Sequence, residues 1–158
     1  MTCAALLATF VRGHESCIGP FDFVTAIPSR KRDEPAVAGL IDVIAGLRER
    51  YRSTLATSGE WGTRYLKAER FATTADVNGL RILVVDDTFT TGATLFSACA
   101  ALRRSGATVV GPIAIGRFVR TEWADSRTLL DRLGPHHWRA DECLRCSGGV
   151  LFSKGSLF

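Results

Sequence analysis

The amino-acid sequence predicts an α/β fold, in which a mainly parallel, twisted sheet has helices on both faces. Short apolar runs rich in β-branched residues alternate along the chain with longer segments whose apolar residues recur at helical spacing. The run at 82–85 is apolar throughout, as is typical of a strand buried on both sides of a parallel sheet. Alternation of this kind favours strands joined through crossover helices.

The first half of the chain contains one strand between two helices. Residues 2–12 are rich in Ala and Leu and end at Gly13, which predicts a helix with a glycine at its end. Residues 21–27 predict a strand that Pro28 stops. A second helix is expected from Pro35, with one apolar face formed by Val37, Leu40, Ile41, Ile44 and Leu47.

The second half begins with a segment of weak periodicity, residues 52–79, which predicts a long flexible loop rather than core. A strand at 82–85, a turn at 88–92 and a helix at 93–104 follow, and another strand and helix are expected at 108–115 and 123–133. The apolar stripe expected on the helix at 93–104 consists of Ala93, Phe96, Cys99 and Ala100.

Composition limits the classes of function. With 158 residues, 46% of them hydrophobic, the chain is expected to form a single domain over 1–158. A net charge of +4 favours an anionic ligand, so nucleic acid is compatible but not demanded, and a homodimer is left open. The apolar run at 3–10 is too short for a membrane span, and five cysteines fit a reducing cytoplasm.

The candidate site is the run 82–94, which reads ILVVDDTFTTGAT. Two carboxylates, Asp86 and Asp87, follow a buried strand, at the sheet edge where α/β proteins bind ligands. The turn after them offers backbone amides, hydroxyls and a helix N-terminus, which suit a phosphate monoester. Because like charges repel, the two carboxylates are expected to face hydroxyls or a magnesium-bearing group instead.

This run resembles the signature with which type I phosphoribosyltransferases bind phosphoribosyl pyrophosphate (PRPP). The resemblance implies that Asp86 and Asp87 hold the ribose hydroxyls and that the turn after them wraps the 5-phosphate. The full set of PRPP-binding residues that it implies is Asp86, Asp87, Thr88, Thr90, Thr91, Gly92, Ala93 and Thr94. Around it, residues 66–106 are similar to the competence-protein-F-like branch of that family.

Two other interpretations of the run stay open. Receiver domains also begin with an apolar strand and two aspartates, as at 81–87. A receiver would need a phosphoacceptor aspartate after a later strand, whereas the next apolar run ends at 113–117 without one. Receivers also start at the strand that carries the two aspartates, whereas 80 residues precede that strand here. The third interpretation is a structural turn without a ligand.

The resemblance also implies a pyrophosphate loop after the first strand, at Ser29, Arg30 and Lys31. A solvated basic turn is the alternative. The Arg-Gly-Phe-Asn-Gln stretch expected next in the competence branch is absent, and Asp33, Glu34 and Pro35 follow instead. The acceptor of that branch is therefore not carried over to this chain.

Family members close a flexible loop over the reaction to exclude water, and the candidate here is 52–79. Among its cations Arg64, Lys67 and Arg70, the last two are the candidate catalytic contacts to pyrophosphate; ordinary exposed loop charges are the alternative. Departing pyrophosphate carries negative charge, so Mg²⁺ is the expected cofactor.

The cysteine and histidine spacing suggests a second, structural metal. Cys143 and Cys146 have the spacing of a metal knuckle, and His14 and Cys17 form a second pair with the same spacing. If the two ends of the chain meet, these four residues would bind structural Zn²⁺, with His136 or His137 as alternative ligands. A redox pair, or reduced cysteines without a metal, are the alternatives.

Three functions are compatible with these features. The first is magnesium-dependent transfer of phosphoribose from PRPP to a nitrogen nucleophile, a nucleobase or a related amine or amide. The second is a regulatory protein that senses PRPP or a nucleotide. The third is a protein associated with DNA uptake, which the resemblance to the competence branch and the modest basic charge suggest.

Overall fold

The structure is a computed structural model that describes residues 2–29, 33–58 and 64–134. Its strands are β1 (Phe23–Ala26), β2 (Leu55–Thr57), β3 (Phe71–Thr73), β4 (Arg81–Phe89) and β5 (Thr108–Arg117). Its helices are α1 (Cys3–Gly13), α2 (Glu15–Ile18), α3 (Ala38–Asp42), α4 (Ala45–Arg48), α5 (Ala93–Arg104) and α6 (Ala124–Leu133). A short 3₁₀ helix lies at Ala68–Arg70.

The centre of the fold is a parallel sheet of three strands in the order β1, β4, β5. Val24 of β1 is opposite Leu83 of the central strand, which is in turn opposite Gly111 of β5. The chain passes from β4 to β5 through α5, as a parallel connection requires. The predicted α/β class with a parallel sheet is therefore confirmed.

Helices cover both faces of this sheet because side chains of β4 alternate between two apolar clusters. Ile82 and Val84 pack with α5, whereas Leu83 and Val85 pack with α1 and α3, and all four are fully buried. The continuous apolar run at 82–85 is thus explained by burial from both sides. In the described part of the chain, no helix combines the length and apolarity that crossing a bilayer requires.

The α5 helix has the predicted bounds but a different buried face. Phe96, predicted in the apolar stripe, is 40% exposed, and the packed residues are Leu95, Ala98, Cys99 and Leu102. These positions follow the i, i+3, i+4, i+7 spacing of one helix face. The prediction for Phe96 was wrong because a small-residue helix offers two nearly equivalent apolar stripes, and the sheet selects one of them.

The segment 52–79 is not the long loop that its weak periodicity predicted. Over its described residues, β2 and β3 pair antiparallel, with Ala56 opposite Ala72, and the hairpin packs against α5. Leu55, Phe71 and Val77 are each less than 5% exposed. Strands of three residues are too short to show an alternation of polar and apolar side chains, so the core role of this segment was missed.

The helix expected from Pro35 is divided into α3 and α4, with Ile44 between them in an extended conformation. Its predicted apolar face is still directed inward, since Val37, Ile41 and Leu47 are buried. Two glycines and the β-branched pair Val43 and Ile44 lower helix propensity here, which favours two short turns over one continuous helix.

Candidate active site

Strand β4 continues past its apolar part and carries both carboxylates on its last residues. The sequence predicted a strand ending at Val85 and a turn from Thr88, but the pairing with β5 runs on, with Asp86 opposite Ala114 and Thr88 opposite Gly116. Because side chains alternate along a strand, Asp86 and Asp87 leave the sheet on opposite faces. Asp86 is partly buried and Asp87 is exposed.

The environment of Asp86 opposes its negative charge. Burial, and next the charge of Asp87, raise the pKa of the Asp86 carboxyl from 3.8 to about 6. The backbone N–H of Asp87 partly offsets this by donating a hydrogen bond of 3.0 Å to Asp86 Oδ1. A carboxylate held at an unfavourable position without benefit to the fold is typical of a binding or catalytic group.

The chain turns from β4 into α5 through Thr90, Thr91 and Gly92. Gly92 caps the helix in the left-handed region, at φ 80° and ψ −8°. The Thr91 hydroxyl accepts a hydrogen bond of 3.4 Å from the backbone N–H of Ala93, and Gly92 itself offers no side chain to the first turn. The amides of this turn and the helix dipole therefore favour an anion at this end of α5.

The carboxylates and this turn line one cavity of about 460 Å³. Its walls include residues from the ends of two neighbouring parallel strands and from the loop that leads into α3. The lining residues are Ile27, Pro28, Ser29, Pro35, Ala36, Val37, Asp86, Asp87, Thr88, Phe89, Thr90, Gly92, Thr94 and Leu95. The predicted positions Ser29, Asp86, Asp87, Thr88, Thr90, Gly92 and Thr94 are thus brought together.

The cavity also has an apolar wall that the sequence did not predict. Pro35, Ala36 and Val37, from the segment that leads into α3, line the cavity together with Ile27 and with Phe89, the last residue of β4. Their types carry no signal of binding, and their contribution depends on how the segment before α3 folds over the sheet edge. A mixed lining of this kind suits a ligand with a charged end and an apolar or planar part.

The other predicted site residues lie elsewhere. Thr91 and Ala93 belong to the turn but are not among the residues lining the cavity. Arg30 and Lys31 of the predicted pyrophosphate loop lie outside the described residues, and Ser29 is its described member.

The candidate loop cations are separate from the cavity wall. Lys67 is exposed, whereas Arg70 is only 2% exposed and lies in the 3₁₀ helix that packs on α5. Neither is among the described residues that line the cavity. Arg64 lies with its guanidinium carbon 5.9 Å from the centre of the Trp123 ring. Direct contact between Arg70 and a ligand in this cavity is therefore not supported by the arrangement seen here.

The donor set of the cavity fits Mg²⁺ bound together with a phosphate-bearing ligand. Mg²⁺ keeps several waters and takes one or two protein carboxylates besides phosphate oxygens, and Asp86 and Asp87 supply that number. In the described ranges, no cluster of three or more His, Cys, Asp or Glu side chains could hold a metal by itself. The fit is thus to a metal that arrives with its substrate rather than to a closed protein cage.

Structural zinc is not supported by the described residues. His14 is 8% exposed and its ring stacks on Phe10, with the ring centroids 4.2 Å apart. Cys17 is disulfide-bonded, a state that leaves no thiolate for a metal. The other two predicted ligands, Cys143 and Cys146, lie outside the described residues.

We predict that Asp86→Asn stabilises the ligand-free protein above pH 6. Folding raises the pKa of this carboxyl, so its contribution to stability is complete when the pH is below its ordinary pKa of 3.8. That contribution is lost as the pH rises through the folded-state pKa of about 6. The loss is up to about 3 kcal/mol, so the variant should melt about 5 to 10 °C higher at pH 8 and equally at low pH.

Thermal denaturation between pH 3.5 and 8 measures this difference. Asp22→Asn is the control, because the Asp22 carboxylate accepts a hydrogen bond from the Arg81 N–H at the opposite end of β4. An Asp86→Asn variant that melts at or below the wild-type temperature at pH 8 would show that the carboxylate is not held at a cost.

Comparison with known proteins finds solved structures that are similar to this chain, among them the two that follow. No protein-family model matches the chain, and no curated protein does either, so the competence-protein-F-like branch is not confirmed. The chain is similar to a solved structure described as the allosteric regulatory enzyme of purine biosynthesis, with a TM-score of 0.47 and 20% identity over 72% of this chain. It spans 26% of that enzyme's chain.

The second similarity is to a phosphoribosyltransferase from Corynebacterium diphtheriae. The TM-score is 0.42 and the identity 22%, over 84% of this chain and 71% of that one.

Proposed function

We propose that this chain is a phosphoribosyltransferase that binds PRPP with Mg²⁺ in the cavity and transfers phosphoribose to a nitrogen nucleophile, releasing pyrophosphate. The observation that carries the proposal is that two carboxylates and the N-terminus of α5, entered through Gly92, line the same cavity. An anion site beside two anionic side chains suits a ligand that presents both a phosphate and hydroxyl groups.

PRPP carries both kinds of group, a phosphate for the anion site and hydroxyls for the two carboxylates. Its 5-phosphate would accept hydrogen bonds from the amides and hydroxyls between Thr90 and Thr94, where the helix dipole is favourable. Its ribose hydroxyls would donate to the Asp86 and Asp87 carboxylates, which are charge-assisted acceptors. Binding of hydroxyl donors favours the ionised form of Asp86, so the ligand offsets the unfavourable position of that carboxylate.

The remaining wall would receive the pyrophosphate. Ser29 lies on the cavity wall three residues after the end of β1, and Arg30 and Lys31 follow it in the chain. Cationic side chains would offset the charge that develops on departing pyrophosphate, and the Ser29 hydroxyl would donate a hydrogen bond to it. The Asp86 and Asp87 carboxylates would also hold Mg²⁺ together with the ligand, and the metal would supply further positive charge near the leaving group.

The reaction would exchange one bond at the anomeric carbon of ribose. The bond from this carbon to the pyrophosphate oxygen breaks, its electron pair leaves with pyrophosphate, and a bond to the acceptor nitrogen forms as that nitrogen loses a proton. Positive charge develops on the ribose ring meanwhile, and the two carboxylates at its hydroxyls would stabilise it. The apolar wall at Pro35 to Val37 would exclude water, which would otherwise hydrolyse PRPP.

Pyrophosphate release tests the proposal. The protein is incubated with PRPP and Mg²⁺ and with a panel of nucleobases, amines and amides, and released pyrophosphate is measured with a coupled enzyme. We expect at least one acceptor to give turnover that ends when EDTA removes the metal. PRPP that binds without turnover on any acceptor would contradict transfer and favour the second candidate.

The second candidate is a protein that senses PRPP or a nucleotide. One observation favours it: neither Lys67 nor Arg70 lines the cavity in the described structure, so the cation expected over the leaving group is not in place there. A sensor needs the phosphate and ribose contacts but no group at the leaving pyrophosphate. Binding of PRPP with the same affinity in Lys67→Ala as in the wild type, together with absent turnover in both, would support it.

A further inference from the structure

A buried hydroxyl joins the phosphate end of α5 to the segment that carries Lys67. Ser97 lies one turn into the helix and is fully buried. Its Oγ donates a hydrogen bond of 2.5 Å to the carbonyl oxygen of Ala93, and it accepts one of 2.9 Å from the backbone N–H of Lys67. One side chain therefore holds two segments that are 30 residues apart in the sequence.

The Ala93 end of this link reaches the cavity. The carbonyl of Ala93 belongs to the same peptide group as the N–H of Thr94, and Thr94 lines the cavity. A hydrogen bond accepted by a carbonyl polarises its peptide group and makes the attached N–H a better donor. The N–H of Ala93 contacts the Thr91 hydroxyl in turn. Both peptide groups that flank Ala93 therefore belong to the anion-binding turn.

At the other end of the link, the hydrogen bond holds the backbone of Lys67, a residue that is exposed to solvent. Lys67 immediately precedes the 3₁₀ helix as its capping residue, and its carbonyl accepts a hydrogen bond of 3.2 Å from the N–H of Arg70. Its side chain is exposed although its backbone is held against α5. The position of this ammonium group therefore depends on a bond made at the first turn of the phosphate-binding helix.

We propose that Ser97 is a positioning residue that couples occupancy of the phosphate turn to the placement of Lys67. An anion bound at the loop before α5 makes the first turn of that helix more rigid. The Ser97 side chain then has fewer positions open to it, and its hydrogen bond orders the backbone of Lys67. Lys67 lies outside the cavity wall in this structure, and ordering of its backbone would bring its ammonium group toward the charge that develops on pyrophosphate. This inference rests on the proposed function, because it requires a phosphate-bearing ligand at the turn.

Amide hydrogen exchange, resolved at single residues by NMR, tests the coupling with PRPP and Mg²⁺ as the probe. In the wild type, the ligand should slow exchange of the Lys67 amide. In Ser97→Ala, that amide should exchange about fivefold faster without ligand, the value for loss of one hydrogen bond of about 1 kcal/mol, and should no longer respond to PRPP. Ser97→Thr, which retains the hydroxyl, should restore the response.

Ser105→Ala is the matched control. Ser105 follows the other end of α5, and its hydroxyl is 3.1 Å from that of Thr73 in β3, so its loss removes a similar link between helix and hairpin far from the turn. This variant should keep the wild-type response at Lys67.

Each outcome decides a different claim. PRPP that binds the wild type without slowing exchange at Lys67, or that slows it equally in Ser97→Ala, would overturn the coupling and leave the proposed function intact. PRPP that fails to bind the wild type would overturn the proposed function and the coupling with it. Loss of the response in Ser97→Ala and its retention in Ser97→Thr and Ser105→Ala would support the coupling.

Discussion

Replacing both carboxylates, in Asp86→Asn with Asp87→Asn, is expected to abolish PRPP binding and turnover without unfolding the protein. Each carboxylate would lose a charge-assisted hydrogen bond to a ribose hydroxyl, worth about 1.5 to 3 kcal/mol. Together these losses weaken binding by at least about 100-fold. Because Asp86 is held ionised against burial and against Asp87, the double variant should also melt above the wild-type temperature at pH 8.

Loss of PRPP binding together with a higher melting temperature would distinguish carboxylates that bind a ligand from carboxylates that stabilise the fold. Isothermal titration with PRPP and Mg²⁺ gives the affinity, and thermal denaturation gives the stability. Asp22→Asn with Asp131→Asn is the matched control, because it removes two negative charges from residues that do not line the cavity. If the double Asp86 and Asp87 variant binds PRPP as tightly as the wild type, the carboxylates do not hold the ribose.

Gly92→Ala is expected to impair the phosphate turn. A residue with a side chain loses about 1 to 2 kcal/mol of folding free energy in the left-handed conformation that Gly92 adopts at φ 80°. A Cβ at Gly92 would also lie 2.7 Å from Phe96 and 2.8 Å from Phe89, which pack edge to face. Relief of this clash requires the rings or the turn to move, and the amides aimed at the 5-phosphate move with the turn. We expect PRPP affinity to fall by about tenfold or more, with some loss of melting temperature.

Two companion variants separate the causes of that effect. Gly46→Ala, on α4 where no atom lies within 4 Å of the added Cβ, should leave binding unchanged and maintain or raise stability. Phe96→Ala combined with Gly92→Ala removes one clashing ring but keeps the backbone strain, so it should recover only part of the affinity. Wild-type affinity in Gly92→Ala alone would mean that the turn does not bind the phosphate in the way proposed.

The part of the site that could be predicted from sequence is the part made by consecutive residues. Asp86, Asp87 and the residues from Thr88 to Thr94 are placed by one strand, one turn and one helix, so local pattern suffices to group them. Ser29 was added only through the family resemblance, which implies a pyrophosphate loop after the first strand, and Ser29 lines the same cavity. Sequence did not show how far β4 extends, since pairing with β5 holds Asp86 to Phe89 in the strand.

What could not be predicted depends on packing between distant segments. The apolar wall at 35–37 joins the site because the segment before α3 lines the cavity together with the end of β4, and no residue type there indicates a ligand. The sequence predicted Arg70 as a cation of a flexible loop. In the structure it is buried, because the segment around it folds as a hairpin against α5. The link through Ser97 was equally hidden, since its two partners are four residues before it and 30 residues before it.

The most direct test of PRPP binding in this cavity is a crystal structure of the protein with PRPP and Mg²⁺. We predict the 5-phosphate within hydrogen-bond distance of the amides between Thr90 and Thr94, the ribose hydroxyls at the Asp86 and Asp87 carboxylates, and the pyrophosphate toward Ser29. PRPP bound at another place, or with its 5-phosphate away from the N-terminus of α5, would contradict the proposed site.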